Sequence, residues 1–358
     1  MISKRPLISG TLPPATEVDD ASYLAFIEGV RAFTLQQVES QIHARYQQAA
    51  ATFARQHGRP PATFAEVRAL LDQDPLVQAR NRLWRSSQEM MWEGVIATYR
   101  KREAELLAEL EEADRSGPGT VQWDPNFVYP DYVQAYEIHL QPGSYHRAPL
   151  AGYIYHYGTK IFFTGRNDGD ALHRAQVQAA PIPADGQVRR ILDLGCSIGQ
   201  STTAFKARFP AAEVWGIDIA APMVRYAHKR AIDLGLEVHF AQMAAEQLRF
   251  PDGYFDLAHA FLLFHELPVP VIRQTIREVA RVLRPGGLFV IYEFVVYNPD
   301  DPSPVGEYLL DFITRENGEP FAWDFCHLDF LAELRQGGFH DAQRIQTNAG
   351  RPAVVATR

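Results

Sequence analysis

The stretch from about Val188 onward constrains the fold most, because short apolar runs alternate there with helical segments. RRILDLG is a short apolar run ending in glycine, and EVWGIDI, EVHFAQ, FDLAHAFLL and GLFVIYEF follow it at intervals. Strands that alternate with helices predict a parallel sheet covered on both faces. After Tyr297 the order changes. A helical LDFLAELRQGGF precedes two strand-like runs, DAQRIQT and PAVVATR, split by Asn348-Ala349-Gly350. That turn predicts a closing antiparallel hairpin.

The first part of the chain has another character. From about Ala21 to Ser116 apolar residues recur at three- and four-residue steps, as in Leu24, Ile27 and Val30, which is a helical spacing. Pro75 to Ser116 reads as one long helix, stopped by Ser116-Gly117-Pro118-Gly119. Its charged end, KREAELLAELEEADR, reads first as a solvated face and second as a homodimer contact. Between Val121 and Phe163 tyrosines concentrate, among them Tyr145, Tyr153 and Tyr155, with His139 and His146 interspersed. They read as aromatic packing between two domains or as the wall of a pocket, since tyrosine offers both a flat apolar face and a hydroxyl. The expected division is a helical, aromatic-rich cap over residues 1–165 and an α/β core over 166–358.

Composition removes several function classes. The net charge of -8 lacks the basic surplus of a protein that grips nucleic-acid phosphates. No run approaches the ~20 apolar residues that cross a bilayer, so a cytoplasmic protein without a membrane partner is expected. Two cysteines, Cys196 and Cys326, are too few for a disulfide framework or a thiolate zinc site.

The chemistry concentrates at Ile191-Leu192-Asp193-Leu194-Gly195-Cys196-Ser197-Ile198-Gly199, where a strand becomes a helix. Glycines at such a turn let backbone approach a ligand. Asp218 ends the next strand, where an acid can accept hydrogen bonds from ribose hydroxyls. Together they point to an adenosine-type cofactor. Counting from Gly195, Ser197 and Gln200 stand where a dinucleotide fingerprint has its second and third glycines, which disfavours a nicotinamide oxidoreductase.

Asp193-Leu194-Gly195-Cys196-x-x-Gly199, then Asp218, then FPDGYFDLAHA, then LRPGG, resembles the class I S-adenosylmethionine-dependent methyltransferases. The likeness covers roughly Val188 to Glu293 and is nearest to the small-molecule branch that includes ubiquinone-biosynthesis-type enzymes. It implies a Rossmann-like seven-stranded sheet and S-adenosylmethionine as cofactor. It also implies a cofactor site drawn from Asp193, Gly195, Cys196, Ser197, Gly199, Asp218, Ile219, Met223, Met243, Ala244 and Ala260. The family often has an aspartate that holds the adenine amino group where this chain has Ala244, which leaves Gln242 or Glu246 as substitutes.

Methyl transfer to a hydroxyl needs a base, and histidine suits neutral pH. FLLFHEL, with the later GLFVIYEF, also looks like the O-methyltransferases of plant and polyketide pathways. That likeness puts His265 in the catalytic position and makes Glu319 the candidate to orient it. His139, Tyr145, Tyr153, His259 and Glu293 are candidate acceptor contacts. No tight ligand spacing such as H-E-x-x-H occurs, so no metal is expected. Oxygen is the first choice of acceptor atom in a small molecule. Nitrogen, carbon or sulfur, and a non-methylating protein that retains the cofactor, remain open.

Overall fold

The structure is a computed structural model, and it describes residues 12–293, 303–349 and 352–358. Tyr297 and Gly350, which bound two of the expected segments, lie outside the described residues.

The first five helices are α1 (Val18–Phe33), α2 (Ile42–His57), α3 (Phe64–Leu71), α4 (Pro75–Arg100) and α5 (Glu103–Ala113). Asp74 starts α4 by accepting the amides of Leu76 and Val77, and Pro75 supplies a φ already suited to a first turn. The long helix expected from Pro75 to Ser116 is two helices, because Arg102 leaves helical geometry at φ -116°, ψ 18°.

Eight strands among the described residues form one sheet, where seven were expected. The additional strand is β1 (Gly119–Gln122), from the start of the aromatic segment. It pairs in parallel with β4 (Val238–Gln242) at one edge of the sheet. The remaining strands are β2 (Arg190–Leu194), β3 (Glu213–Asp218), β5 (Phe255–Phe261), β6 (Leu283–Tyr292), β7 (His340–Ile345) and β8 (Ala353–Thr357). Their order is β1-β4-β3-β2-β5-β6-β8-β7, with β8 antiparallel to both neighbours as the closing hairpin requires. The strand order reverses beside β2, between β3 and β5, and such a switch point leaves a crevice at the strands' carboxyl ends.

Between β1 and β2 run α6 (Asp131–Gln134), α7 (Ala151–Phe162) and α8 (Ala171–Ala179). Then come α9 (Gln200–Arg208), α10 (Ala221–Asp233), α11 (Val269–Val282), α12 (Pro304–Glu316), α13 (Ala322–Cys326) and α14 (Phe330–Gln336). One apolar cluster joins α1, α4, α5 and α7 to Met223 and Tyr226 of α10, which seats the cap on the core. A second joins Ile42, Val67, Leu71 and Val77 to Val305 and Tyr308 of α12. The helical layer is therefore built from both ends of the chain, not from residues before 165 alone. Among the described residues no helix is long and apolar enough to cross a membrane.

Leu71 is fully buried where α3 meets α12. Leu71→Ala should cost about 2–5 kcal/mol through lost transfer energy and the cavity left behind. Urea unfolding measures this, and a shift of only a few tenths of a kcal/mol would mean that this helix pair carries little of the stability.

Candidate active site

A cavity of about 550 Å³ opens at the carboxyl ends of β2, β3 and β5 and extends beneath α4 and α7. Its walls come from core and cap together.

At the core end, the β2–α9 turn carries Gly195 at φ +59°, and a Cβ there would lie 2.8 Å from Leu263. A side chain there would be strained by the left-handed φ and would push on Leu263, so glycine lets the backbone lie against the cavity. Asp218 stands opposite. Its Oδ2 accepts the Ser197 amide at 2.9 Å and its Oδ1 the Ala220 amide at 2.9 Å. Burial pushes its pKa up to about 6, although these amides pull the other way. Met243, Ile219, Met223 and Cys196 supply apolar wall. Gln200 and Ser201 begin α9 and line the same end, and the buried Ser201 hydroxyl has no partner.

Glu246 also lines the cavity. Its Oε1 accepts the Tyr132 hydroxyl at 2.8 Å, while its buried Oε2 has no partner. Gln242 is fully engaged with Asp124, Tyr129 and the Ile219 carbonyl. Of the two substitutes for the missing adenine acid, Glu246 is thus the one with an acceptor to spare. A carboxylate at a strand end, an unpaired acceptor and a sulfur-lined wall suit a nucleoside joined to an amino acid.

Several expected cofactor residues sit behind this wall. Asp193 lines the cavity, but its Oδ2 accepts the Thr202 hydroxyl at 2.6 Å and its Oδ1 lies 2.7 Å from His259 Nδ1. Gly199, Ala244 and Ala260 are buried outside the lining, where they pack the turn and the sheet.

The acceptor candidates divide more sharply. His259 is fully buried against Phe205 and Tyr292 and buttresses Asp193, so it replaces the expected substrate contact with a supporting one. Tyr153 is also fully buried; its ring packs on Tyr226 and its hydroxyl donates to Glu109 at 3.2 Å. A strand would have put Tyr153 and Tyr155 on one side. The segment is helical, so two residues turn the side chain by about 200° and only Tyr155 reaches the cavity.

A dense charged cluster closes the other side. Glu293, just beyond β6, accepts the Phe264 amide at 2.6 Å and lies 2.8 Å from His265 Nδ1. It therefore orients His265, in place of the expected acceptor contact, and takes the part assigned to Glu319. Glu319 Oε1 instead meets His139 Nε2 at 3.1 Å and receives Asn317 Nδ2 at 2.9 Å. Glu319 Oε2 stands 3.7 Å from His265 Nε2. Burial alone would lower the His265 pKa, but Glu293, then Glu319 and Glu266, outweigh it and hold it near 9. His139 is raised too, with Glu319 overcoming burial. His139 takes a left-handed φ of +54°; Gln88 and Trp92 both donate to its carbonyl, and its Nδ1 meets the Tyr145 hydroxyl. Glu266 went unremarked in the sequence, though it adjoins His265. Ligand atoms of His139, His265 and Glu266 lie within 4.8 Å of one another, a spacing that could receive a divalent cation.

The sheet order, the glycine turn and the acid closing β3 define a nucleoside-binding α/β core. Residues 191–287 match the family described as a methyltransferase domain. By that match this part of the chain resembles a methyltransferase domain, and the curated proteins it is similar to are methyltransferases. The chain is 37% identical over 134 residues to the demethylmenaquinone methyltransferase of Thermus thermophilus, covering 37% of this chain and 56% of that protein. It is 32% identical over 177 residues to methyltransferase phqN of Penicillium fellutanum, covering 49% and 50%. A solved structure of human N-acetylserotonin methyltransferase in complex with S-adenosylmethionine aligns over 97% of this chain and 99% of its own, at 14% identity and a TM-score of 0.46. The chain spans about half the length of the curated relatives it matches.

Asp218→Ala should weaken binding of S-adenosylhomocysteine about 10- to 100-fold, since hydrogen bonds to a charged acceptor are worth roughly 1.5–3 kcal/mol. Calorimetry giving an unchanged affinity would take Asp218 out of the cofactor site.

Proposed function

We propose that the protein transfers a methyl group from S-adenosylmethionine to a hydroxyl oxygen of a small molecule, with His265 as general base. One observation carries this reading: His265 lines the cavity between two carboxylates, with Nδ1 2.8 Å from Glu293 and Nε2 3.7 Å from Glu319. The cofactor supplies an activated methyl and a good leaving group. Asp218 and Glu246 would hold its nucleoside part, and the β2–α9 turn would hold the methionine part. Tyr145 and Tyr155 line the cavity beside His139 and exclude water from the acceptor. Nε2 takes the acceptor's proton, and Glu293 and Glu319 stabilise the imidazolium that results.

His265→Ala should lower turnover by about 10²- to 10⁴-fold with little change in cofactor affinity. Glu293→Gln should lower it less, by loosening the ring without removing the base. The sign of the pH dependence follows from the raised pKa. Below about 9 the imidazole of the free enzyme holds a proton and cannot accept another, so kcat/KM should rise with pH. A bound sulfonium cation disfavours the imidazolium and moves that midpoint down. A flat profile, or a folded His265→Ala protein with normal turnover, would leave methylation to proximity alone and favour nitrogen, carbon or sulfur as acceptor.

The His139, His265 and Glu266 group would carry protons rather than a metal, because His139 Nε2 and Glu319 Oε1 stand at hydrogen-bond distance. Turnover should therefore survive exhaustive chelation. Loss on chelation, with recovery on adding a divalent cation, would turn the cluster into a metal site. Homodimer formation through the amino-terminal helices is supported by Phe26 and Phe33, both exposed on α1. Sedimentation equilibrium at monomer mass would remove it.

A further inference from the structure

The cap end of the cavity carries a charge pattern that the methyl-transfer reading does not use. Arg80 lines the cavity, yet its side chain is only 2% exposed. Arg31 lies beside it and is equally buried. The two guanidinium groups share the ring of Trp84, with Arg31 Cζ 4.8 Å and Arg80 Cζ 5.0 Å from its centroid. Arg31 also stacks on Phe162 at 4.7 Å, and Arg80 on Phe312 at 4.5 Å. Trp84 and Phe162 are themselves cavity walls.

Their polar partners do not balance the charge. Arg80 pairs with Glu39 Oε2 at 2.9 Å and donates to Asn81 at 3.2 Å, but its Nε has no partner. Arg31 reaches only the neutral Ser87 and Gln88, both at 3.4 Å, and its Nε and Nη2 have none. Among the described residues these two buried cations thus share one carboxylate, Glu39, which keeps 29% of its side chain exposed. Burial, and then the like charge of Arg80, lower the Arg31 pKa to about 10 against the pull of Glu39. A buried charge without a counter-charge is costly, and stacking on aromatic faces recovers only part of it. The other end of the cavity has the opposite sign, with Asp218, Glu246, Glu266 and Glu319 in its walls.

We infer that the Arg80 end of the cavity, backed by the buried Arg31, is a subsite for an anionic group, and that the acceptor is a flat, conjugated molecule with a carboxylate remote from the methylated hydroxyl. The carboxylate supplies the missing counter-charge, and the conjugated body lies along Trp84, Phe162 and Tyr155. With the carboxylate held beside Arg80, the opposite end of the acceptor faces His265. The orientation rests on the methyl-transfer reading. The anion subsite does not, and it is measured without turnover.

The probes are 4-hydroxycinnamate and its methyl ester, titrated calorimetrically into the full chain saturated with S-adenosylhomocysteine. The acid should bind at least about 10-fold tighter than the ester. Arg80→Met keeps the length of the stem and removes the charge. It should cost the acid about 10-fold or more, as expected for hydrogen bonds to a charged group, and leave the ester unchanged. Glu39→Gln tests the idea from the side of the existing counter-charge, with folding checked first by circular dichroism. Removing the one competing carboxylate should tighten the acid and not the ester. Equal binding of acid and ester, no binding of the acid, equal losses in Arg80→Met, or weaker acid binding in Glu39→Gln would each overturn the subsite. Failure to bind S-adenosylhomocysteine at all would instead overturn the cofactor reading.

Discussion

Three glutamates, Glu266, Glu293 and Glu319, gather beside one cavity, and they can do so only because His265 and His139 stand between them. Glu293 lies at the end of β6, His265 just past β5, His139 in the cap and Glu319 beyond α12, so four separate stretches of chain meet here. An uncompensated buried carboxylate costs several kcal/mol, so each histidine is held in its cationic direction by the acids around it. The backbone is fitted to the same junction. Gly318 takes a φ of +72°, its carbonyl accepts the His139 amide at 2.9 Å, and a Cβ there would lie 2.7 Å from the Leu140 nitrogen. Cap and core are therefore joined at the point where the acceptor's proton would leave.

The cavity is polar in a second sense. Its core end carries carboxylates, suited to ribose hydroxyls, an adenine amino group and a sulfonium. Its cap end carries the Arg80 guanidinium, with Arg31 behind it on the same Trp84 ring. Between them the walls are tyrosine, tryptophan and phenylalanine. Such a field orders a two-part ligand set without many specific contacts, because each misplacement brings like charges together in a medium of low effective dielectric.

The core was legible because its signals are local. The glycine turn, the acid closing β3 and the hairpin each depend on a few consecutive residues, and the parallel sheet shows itself in apolar runs. Contacts across the chain were not legible. Nothing adjacent to Gly119–Gln122 marks it as a sheet strand; its pairing with β4 lies more than a hundred residues away. His259 and Glu293 have the residue types of a site, but their roles are set by Asp193 and His265, which only folding brings near. Tyr153 and Tyr155 were separable only once the segment was known to be helical. Gly152 packs against Tyr226 inside α7, so it does not break the helix. Arg31 and Arg80 occur in ordinary amphipathic helices, and their burial follows from how α1 and α4 meet.

The account stands on His265 being a base made strong by the acids around it, and nitrogen-15 NMR of the His265 ring measures that most directly. The account predicts a midpoint near pH 9 in the free protein, falling in Glu293→Gln as the principal counter-charge is removed. A midpoint at or below that of an ordinary histidine, unmoved by Glu293→Gln, would contradict it.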